Sequence, residues 1–221
     1  MPFVEHILST IAPHTCVGCD EEGPLICQGC LALCRRVPSR CYRCQQVSTD
    51  FRTCQTCRGS SPLYSVKPFA AYEDIPKALL HKVKYERLRS GAKTIAAHMA
   101  PGLAGLAQDT LITHVPTATS RVRQRGYDQA ALIARELAIL LDLDHVPLLT
   151  RYGQQRQVGK DRKERREQMK KLFASTKSLQ QNKNILLIDD VLTTGATLEA
   201  CARVLKDAGA QRVSAAVFAA A

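Results

Sequence analysis

The amino-acid sequence predicts an α/β fold in which a mostly parallel sheet is flanked by helices and preceded by a small cysteine-rich module. Four Cys-x-x-Cys pairs fall within the 42 residues from Cys16 to Cys57, where apolar periodicity is scarce. Beyond Gly59–Pro62 (a turn-forming stretch), strand and helix patterns alternate, as in α/β domains. Residues 185–188 are four consecutive apolar side chains, which is typical of a strand covered on both faces.

The overall composition indicates a folded protein. The chain has 221 residues, of which 45% are hydrophobic and 23% charged, and this excludes general disorder. Its longest apolar runs, such as residues 215–221, are far shorter than the roughly 20 residues of a membrane helix. The first six residues lack the basic and apolar regions of a secretory signal. We therefore expect a cytoplasmic protein without membrane insertion.

The cysteines of residues 1–62 predict a double zinc-ribbon module with two structural zinc sites. Nine of the ten cysteines precede residue 58, and clustered pairs in a cytosolic chain indicate metal ligands rather than disulfides. Two Cys-x-x-Cys turns complete one tetrahedral S₄ site, and zinc supplies the folding free energy that an apolar-poor segment lacks. A redox role would need only one pair, and reduced loop cysteines are the other alternative. The expected ligands are Cys16, Cys19, Cys27, Cys30, Cys41, Cys44, Cys54 and Cys57.

The pairing of these turns is open at this point. The short span between Cys19 and Cys27 favours sequential sites, with the first pair joined to the second and the third to the fourth. Interleaved pairing, first with third and second with fourth, is the alternative. Cys34 is expected to be a small packed residue, and His14 a surface residue rather than a ligand.

Each later element follows from its apolar spacing. Helices are expected at residues 4–11, 75–85, 88–106, 127–141 and 194–208, and strands at 67–72, 111–115, 146–149, 185–188 and 213–218. The helix at 127–141 should bury Ala130, Ile133, Leu137, Leu140 and Leu141. The last helix should bury Leu198, Cys201, Ala202 and Leu205 and end at Gly209.

The net charge of +11 favours a polyanionic partner. Most of the basic excess lies in residues 151–184, which carry 11 basic and 3 acidic side chains. Binding of a nucleic-acid backbone would use such a segment, whereas a solvated surface is the alternative.

Residues 185–197 carry the chemistry that is most informative. The apolar strand leads into Asp189 and Asp190, and Thr193–Thr197 then opens a helix. Ligands of α/β sheets bind at the carboxyl ends of the strands, and a helix N-terminus suits a phosphate. Carboxylates accept hydrogen bonds from sugar hydroxyls. The stretch therefore predicts a site for a phosphorylated sugar, with an ordinary capped strand–turn–helix as the alternative.

The same thirteen residues resemble the phosphoribosyl pyrophosphate (PRPP) motif of type I phosphoribosyltransferases. The resemblance implies that residues 63–221 form a type I phosphoribosyltransferase-like domain and that Asp189 and Asp190 are the catalytic pair, holding the ribose 2′- and 3′-hydroxyls. It also implies Mg²⁺ carried by the pyrophosphate, displacement of pyrophosphate at C1 and an oxocarbenium-like transition state. The 5′-phosphate would be cradled by Thr193, Thr194, Gly195, Ala196 and Thr197.

Residues 114–130 resemble the signature of the ComF family of competence proteins, with Tyr127 and Asp128 where Phe and Asn are usual. Residues 82–85 also resemble the family, as does a segment that includes Gln157, Arg165, Gln168, Met169 and Phe173, where Gln168 replaces the usual Asn. Thr117–Ser120 falls where the pyrophosphate loop of phosphoribosyltransferases lies. The further PRPP-binding residues that this resemblance implies are Thr117, Ala118, Thr119, Arg121 and Arg125, with a solvated face as the alternative for the arginines.

The resemblance implies a PRPP-binding, phosphoribosyltransferase-like protein that acts in DNA uptake during natural transformation. The implied partners are PRPP and other DNA-uptake proteins. Residues 151–184 would then include a loop that closes over PRPP. Two alternatives stay open: an accessory factor that binds single-stranded DNA without catalysis, and a regulator that senses PRPP.

Overall fold

A four-stranded parallel sheet organises the part of the chain that the computed structural model describes, residues 14–85, 88–152, 172–179 and 183–221. Its strand order is β1 (Ser65–Ala71), β6 (Arg212–Ala220), β5 (Asn184–Leu192) and β2 (Leu111–His114). All three pairings are parallel. The carboxyl ends of the strands therefore lie at one edge, as the sequence predicts.

The chain beside β2 differs from the prediction of a strand at 146–149. Residues 144–146 extend the sheet, because the Ile112 N–H donates to the Asp144 carbonyl and the Val146 N–H donates to the Ile112 carbonyl, each at 2.8 Å. The ladder ends there, because the next N–H that faces β2, that of Leu148, donates to the Thr113 side-chain hydroxyl at 3.1 Å. The next strand, β3 (Leu149–Arg151), instead pairs antiparallel with β4 (Phe173–Ser175).

Seven α-helices accompany the strands in the described residues. They are α1 (Gln28–Leu33), α2 (Gln55–Arg58), α3 (Asp74–Tyr85), α4 (Ser90–Met99), α5 (Thr119–Arg125), α6 (Gln129–Leu141) and α7 (Ala196–Asp207). Short 3₁₀ turns cover Thr49–Phe51 and Ala100–Leu103. The helix expected at 88–106 is thus shorter, since Pro101 disfavours continuation of the α-helix. The sequence did not predict α5, which ends at Gly126 in the left-handed conformation.

Helices lie on both faces of the sheet. Leu186 and Ile188 of β5 belong to the core formed with α3, α4 and α6. Ile185 and Leu187, which alternate with them, belong to the core formed with α7 and the paired strands β3 and β4. The two-sided burial confirms the prediction made from four consecutive apolar residues.

The buried faces of α6 and α7 can be compared with the core residues predicted from apolar spacing. In α7 all four predicted core residues are buried. In α6, Ala130, Ile133 and Leu137 are buried as expected, but Leu140 is half exposed and Leu141 is only partly buried. Ala134 and Ala138 complete the buried stripe instead, because they lie one turn from Ala130 and from Ala134 respectively on the same face.

Two further expectations concern the amino-terminal part. The helix predicted at 4–11 lies outside the described residues. The domain boundary between residues 62 and 63 stays a prediction, and Leu25 and Ile26 of the cysteine-rich part share a hydrophobic core with α3 and α4. Within the described ranges, every helix is too short or too polar to cross a bilayer.

Candidate functional site

Two four-cysteine clusters form from sequential pairs, so interleaved pairing is wrong. One cluster comprises Cys16, Cys19, Cys27 and Cys30, and the other Cys41, Cys44, Cys54 and Cys57, with all ligand atoms of a cluster within 4.8 Å of one another. Both are built in the same way. In each cluster the first Cys-x-x-Cys pair forms a turn, and the residues on either side of this turn pair with each other in an antiparallel β-bridge. The second Cys-x-x-Cys pair spans the start of α1 in one cluster and of α2 in the other.

The cysteine geometry fits zinc. Zn–S bonds of about 2.3 Å in a tetrahedral site place the sulfurs about 3.8 Å apart. The Sγ atoms of Cys19 and Cys27 are 3.9 Å apart, and those of Cys44 and Cys54 are 3.5 Å apart. These distances far exceed a disulfide bond, and all of these cysteines are free thiols. Each cluster can therefore hold one Zn²⁺ through four thiolates.

Backbone donors favour the thiolate form of one cysteine in each cluster. Burial acts to raise the pKa of Cys16, but hydrogen bonds from the Cys27 N–H and its own turn outweigh burial and lower the pKa to about 6. The same balance lowers the pKa of Cys41 to about 6.

Cys34 lies outside both clusters and is half-buried, with Sγ against the Cys30 carbonyl. His14 is likewise outside the clusters and contacts Ser90.

The two predicted carboxylates lie at the carboxyl edge of the parallel sheet. Asp189 and Asp190 belong to β5 itself, which continues to Leu192. The Asp190 N–H donates to Oδ1 of Asp189 at 2.9 Å. Burial and the neighbouring Asp190 carboxylate raise the pKa of the Asp189 carboxyl well above its usual range. Hydroxyl groups that donate to these carboxylates would favour their charged form, so the pair is suited to a ligand with hydroxyl donors.

The loop after β5 has the form expected of an anion cradle. Gly195 has a φ of 74°, in the left-handed region, and α7 begins at Ala196. Thr193, Thr194 and Ala196 are exposed, while Gly195 is buried and Thr197 is partly buried. The first N–H groups of a helix have no partner within it and point toward the loop. The structure thus places residues 193–197 next to the carboxylates, at the same edge.

The loop after β2 lies at this edge as well, because β2 and β5 are parallel neighbours. Asp128 shapes it: its carboxylate accepts from the Thr117 N–H at 2.8 Å and from the Thr117 hydroxyl at 3.0 Å. The same side chain caps α6 by accepting from the Ala131 N–H. Ala118 is buried, and Thr119 begins α5. The Asp128 carboxylate thus accepts three hydrogen bonds, two from Thr117 in the loop and one from Ala131 of α6.

The segments 82–85 and 125–128 pack together. The Tyr127 hydroxyl donates to the Val83 carbonyl, and the guanidinium of Arg125 lies 5.6 Å from the centre of the Tyr85 ring. Arg121 is exposed on α5. Both predicted arginines thus lie on the helix that follows the loop after β2.

Three functional candidates escaped the sequence reasoning. Lys84 pairs with Asp190, Nζ to Oδ2 at 2.6 Å. Asp128 fixes the loop after β2. Nε of Arg151 is buried without a hydrogen-bond partner among the described residues, and burial together with the charge of Arg121 lowers the Arg151 pKa. Two sequence features could have indicated the first two candidates: Lys84 lies in the family-like stretch 82–85, and Asp128 stands where the family usually has Asn.

Part of the basic segment lies outside the described residues, including Gln157, Arg165, Gln168 and Met169. Its described ends form β3 and β4, and Phe173 is buried in β4.

Comparison with known proteins agrees with this geometry. Residues 90–221 match the family model of the phosphoribosyl transferase domain. The chain belongs to that family. Together with the two cysteine clusters, the curated relatives confirm the predicted resemblance to the ComF group within it.

These relatives are competence proteins. The chain is 28% identical over 204 residues to "Competence protein ComFC" of Bacillus subtilis (strain 168), covering 86% of this chain and 80% of the relative. It is 31% identical over 106 residues to "Competence protein F" of Haemophilus influenzae (strain ATCC 51907 / DSM 11121 / KW20 / Rd), covering 46% of each.

Solved structures include the purine phosphoribosyltransferase from Pyrococcus horikoshii Ot3. It is 19% identical, with a TM-score of 0.37, and the match covers 59% of this chain and 73% of that one. Two further solved structures are much longer than this protein, and the chain spans 25% of the length of one and 26% of the length of the other.

Proposed function

We propose that this protein is cytoplasmic, binds Mg²⁺-PRPP at the carboxyl edge of its sheet and transfers the phosphoribosyl group to an acceptor in the context of DNA uptake. The observation that supports this most directly is the adjacency of the Asp189–Asp190 pair and the 193–197 loop, continuous along β5 and into α7. A site for a sugar phosphate needs acceptors for the sugar hydroxyls close to donors for the phosphate, because one small ligand carries both groups.

The ribose 5-phosphate half of PRPP fits this pair of features. Asp189 and Asp190 would accept hydrogen bonds from the ribose 2′- and 3′-hydroxyls. The N–H groups and hydroxyls of residues 193–197 would hold the 5′-phosphate, with the positive end of the α7 dipole behind them. We name these loop residues, Thr193–Thr197, the phosphate loop.

The pyrophosphate half needs cations on the other side of the ribose. Thr117, Ala118 and Thr119 would supply backbone donors from the loop after β2. The neighbouring charges are Lys84, Arg121, Arg125 and Arg151. Mg²⁺ keeps several waters and binds through substrate phosphates, so it needs no protein cage. The donor set therefore fits a metal that arrives with the substrate.

The chain's own contribution to transfer is positioning and charge stabilisation. In the proposed reaction the acceptor nucleophile forms a bond to C1 as the bond from C1 to the pyrophosphate oxygen breaks, and pyrophosphate leaves with that electron pair. Carboxylates near the ribose would stabilise the positive charge that develops at the ring, and the arginines would stabilise the leaving group.

Titration calorimetry with the full chain tests the binding step. We expect Mg²⁺-PRPP to bind more tightly than ribose 5-phosphate or pyrophosphate alone, because each of these occupies only half of the site. A pyrophosphate-release assay with candidate nucleobases then separates an enzyme from a PRPP-sensing regulator. Binding with release supports the enzyme, and binding without release for any acceptor supports the regulator. No binding of PRPP would contradict both.

The names of the relatives and the charge of residues 151–184 favour a second candidate function, binding of single-stranded DNA. Neutralising Lys160, Arg162, Lys163, Arg165 and Arg166, which lie outside the described residues, separates the two. A DNA-binding segment predicts weaker binding of any sequence and a salt slope reduced by about 0.7 per lost phosphate contact. A segment that closes over PRPP predicts lost PRPP affinity or turnover with DNA binding unchanged. If both activities persist, the segment is a solvated surface.

A further inference from the structure

The turn that holds the second cysteine cluster also contacts the phosphate loop. Tyr42 and Arg43 are the two residues between the ligands Cys41 and Cys44. The Tyr42 ring lies against Gly195, so closely that a Cβ atom at position 195 would be 3.0 Å from the ring. The Tyr42 side chain is buried, with only 8% of the residue exposed. A contact this close fixes the path of the loop's central residue.

Both residues of the turn also bind Glu199, in the first turn of α7. The Tyr42 hydroxyl donates to Oε1 of Glu199 at 2.9 Å, and Nε of Arg43 lies 2.9 Å from the same oxygen. The Arg43 and Glu199 side chains are 18% and 13% exposed. This ion pair is therefore largely shielded from water and is screened less than a surface pair.

Glu199 creates an electrostatic problem for an anion at the start of α7. The Glu199 N–H donates to the Gly195 carbonyl, so its residue lies one helical turn beyond the loop. Side chains of a helix tilt toward its N-terminus, which brings this carboxylate toward the place proposed for the 5′-phosphate. An uncompensated carboxylate there would reduce the positive potential that the N-terminus of α7 offers to a bound anion. Arg43 compensates it, and Arg203 contributes a longer contact of 3.5 Å.

We propose that Arg43 and Tyr42 are positioning residues for the phosphate loop: Arg43 cancels the charge of Glu199, and Tyr42 fixes Gly195, so that the second cysteine cluster sets the affinity for the 5′-phosphate. This inference rests on the proposed function, because it assumes that the phosphate loop binds PRPP. It assigns a role in the binding site to the turn of the second cysteine cluster.

The test is a double-mutant cycle between Arg43→Gln and Glu199→Gln, with ribose 5-phosphate and pyrophosphate as separate calorimetric probes. R43Q should weaken PRPP and ribose 5-phosphate by the same factor, about tenfold for the loss of one positive charge near the anion, and should leave pyrophosphate unchanged. E199Q alone should strengthen ribose 5-phosphate binding. The R43Q/E199Q double variant should regain wild-type affinity.

Arg40→Gln is the matched control. Arg40 precedes Cys41, and its side chain donates to the Gln45 carbonyl rather than reaching α7. R40Q removes the same charge from the same turn and should leave every affinity unchanged. Zinc content and thermal unfolding are measured for each variant, and E199Q, which lies outside the cysteine-rich part, keeps the test valid if R43Q loses metal.

The outcomes are distinct. Restoration of affinity in the double variant supports the proposal, since a purely structural role of Arg43 would not be rescued by removing a carboxylate. Unchanged affinity in R43Q, or weakening that E199Q does not rescue, overturns it and leaves PRPP binding by the wild-type protein intact. Absence of PRPP binding by the wild-type protein overturns the proposed function first.

Discussion

Nζ of Lys84 lies 2.6 Å from Oδ2 of Asp190, and only 18% and 20% of the two side chains are exposed. The pair joins the last turn of α3 to the carboxyl edge of the sheet. It also supplies a cation beside two adjacent carboxylates. Lys84 is thereby both a structural partner of Asp190 and a charge available to an anionic ligand.

We expect Lys84→Met to destabilise the protein by about 2–3 kcal/mol, because removing one partner leaves a mostly buried carboxylate uncompensated. PRPP affinity should fall as well. Urea unfolding measures the first effect and calorimetry the second. Lys77→Met, at an exposed position of the same helix, is the control and should change neither. K84M/D190N should recover most of the stability, and a failure to do so would contradict the pairing.

The double variant Asp189→Asn/Asp190→Asn should lose PRPP binding and keep its fold. Hydrogen bonds to charged acceptors contribute about 1.5–3 kcal/mol each, so a loss of 10-fold or more per carboxylate is expected. Ribose 5-phosphate should be affected and pyrophosphate should not. The substitution removes the repulsion between the two carboxylates, and this offsets part of the stability that is lost with the Lys84–Asp190 ion pair.

Asp207→Asn, on an exposed residue at the end of α7, is the matched control for charge. If the double variant bound ribose 5-phosphate as well as the wild-type protein does, the carboxylates would serve only the local loop structure.

The contrast between Asp190 and Lys84 shows what sequence could and could not predict. The carboxylates and the phosphate loop are contiguous, so the strand–turn–helix pattern alone placed them together. Lys84 lies more than 100 residues earlier in the chain, and only the packing of α3 against the sheet brings it to Asp190. The contact between Tyr42 and Gly195 is of the same kind. Long-range pairs of this sort have no local signal.

Local chemistry also explains the misplaced elements. Pro101 changed the outcome at 88–106, and the hydrogen bond from the Leu148 N–H to the Thr113 hydroxyl changed it at 146–149. Apolar spacing alone predicted uninterrupted elements at both places. The spacing of the cysteines left two pairings open. The positions of the sulfur atoms show that the pairs combine in sequential order, with the second pair of each cluster at the start of a short helix.

Purified protein should contain two Zn²⁺ per chain, one for each four-cysteine cluster. Elemental analysis by mass spectrometry measures the ratio, with the protein prepared without chelator. Cys41→Ser/Cys54→Ser should lower the ratio to about one. Cys34→Ser should leave it at two, because Cys34 belongs to neither cluster. Protein without any zinc would refute the metal sites.

The stability of the protein should fall as the solution is acidified between about pH 6.5 and 4. Burial, the neighbouring His114 and Arg135 lower the pKa of His145 to about 4, and its ring nitrogen Nε2 lies 3.0 Å from Nδ1 of His114. Between these pH values the unfolded chain binds a proton at His145 that the folded chain does not. Unfolding is therefore favoured by acid, by up to about 1.4 kcal/mol per pH unit.

Urea unfolding of His145→Asn across this pH range measures the contribution. The variant should show a shallower pH dependence than the wild-type protein. His81→Asn, at an exposed position, should retain the wild-type slope. Equal slopes in H145N and the wild-type protein would show that His145 does not carry the effect.

The position of β6 has a consequence for synthesis of the protein. This strand, Arg212–Ala220, lies between β1 and β5, although it is made after both of them. During translation β1 and β5 cannot pair with each other in the native order and must wait for a strand still inside the ribosome. Their unpaired edges are templates for pairing with other chains. Before β6 inserts, the edges of β1 and β5 are therefore the places at which incompletely folded copies of the protein can pair with each other.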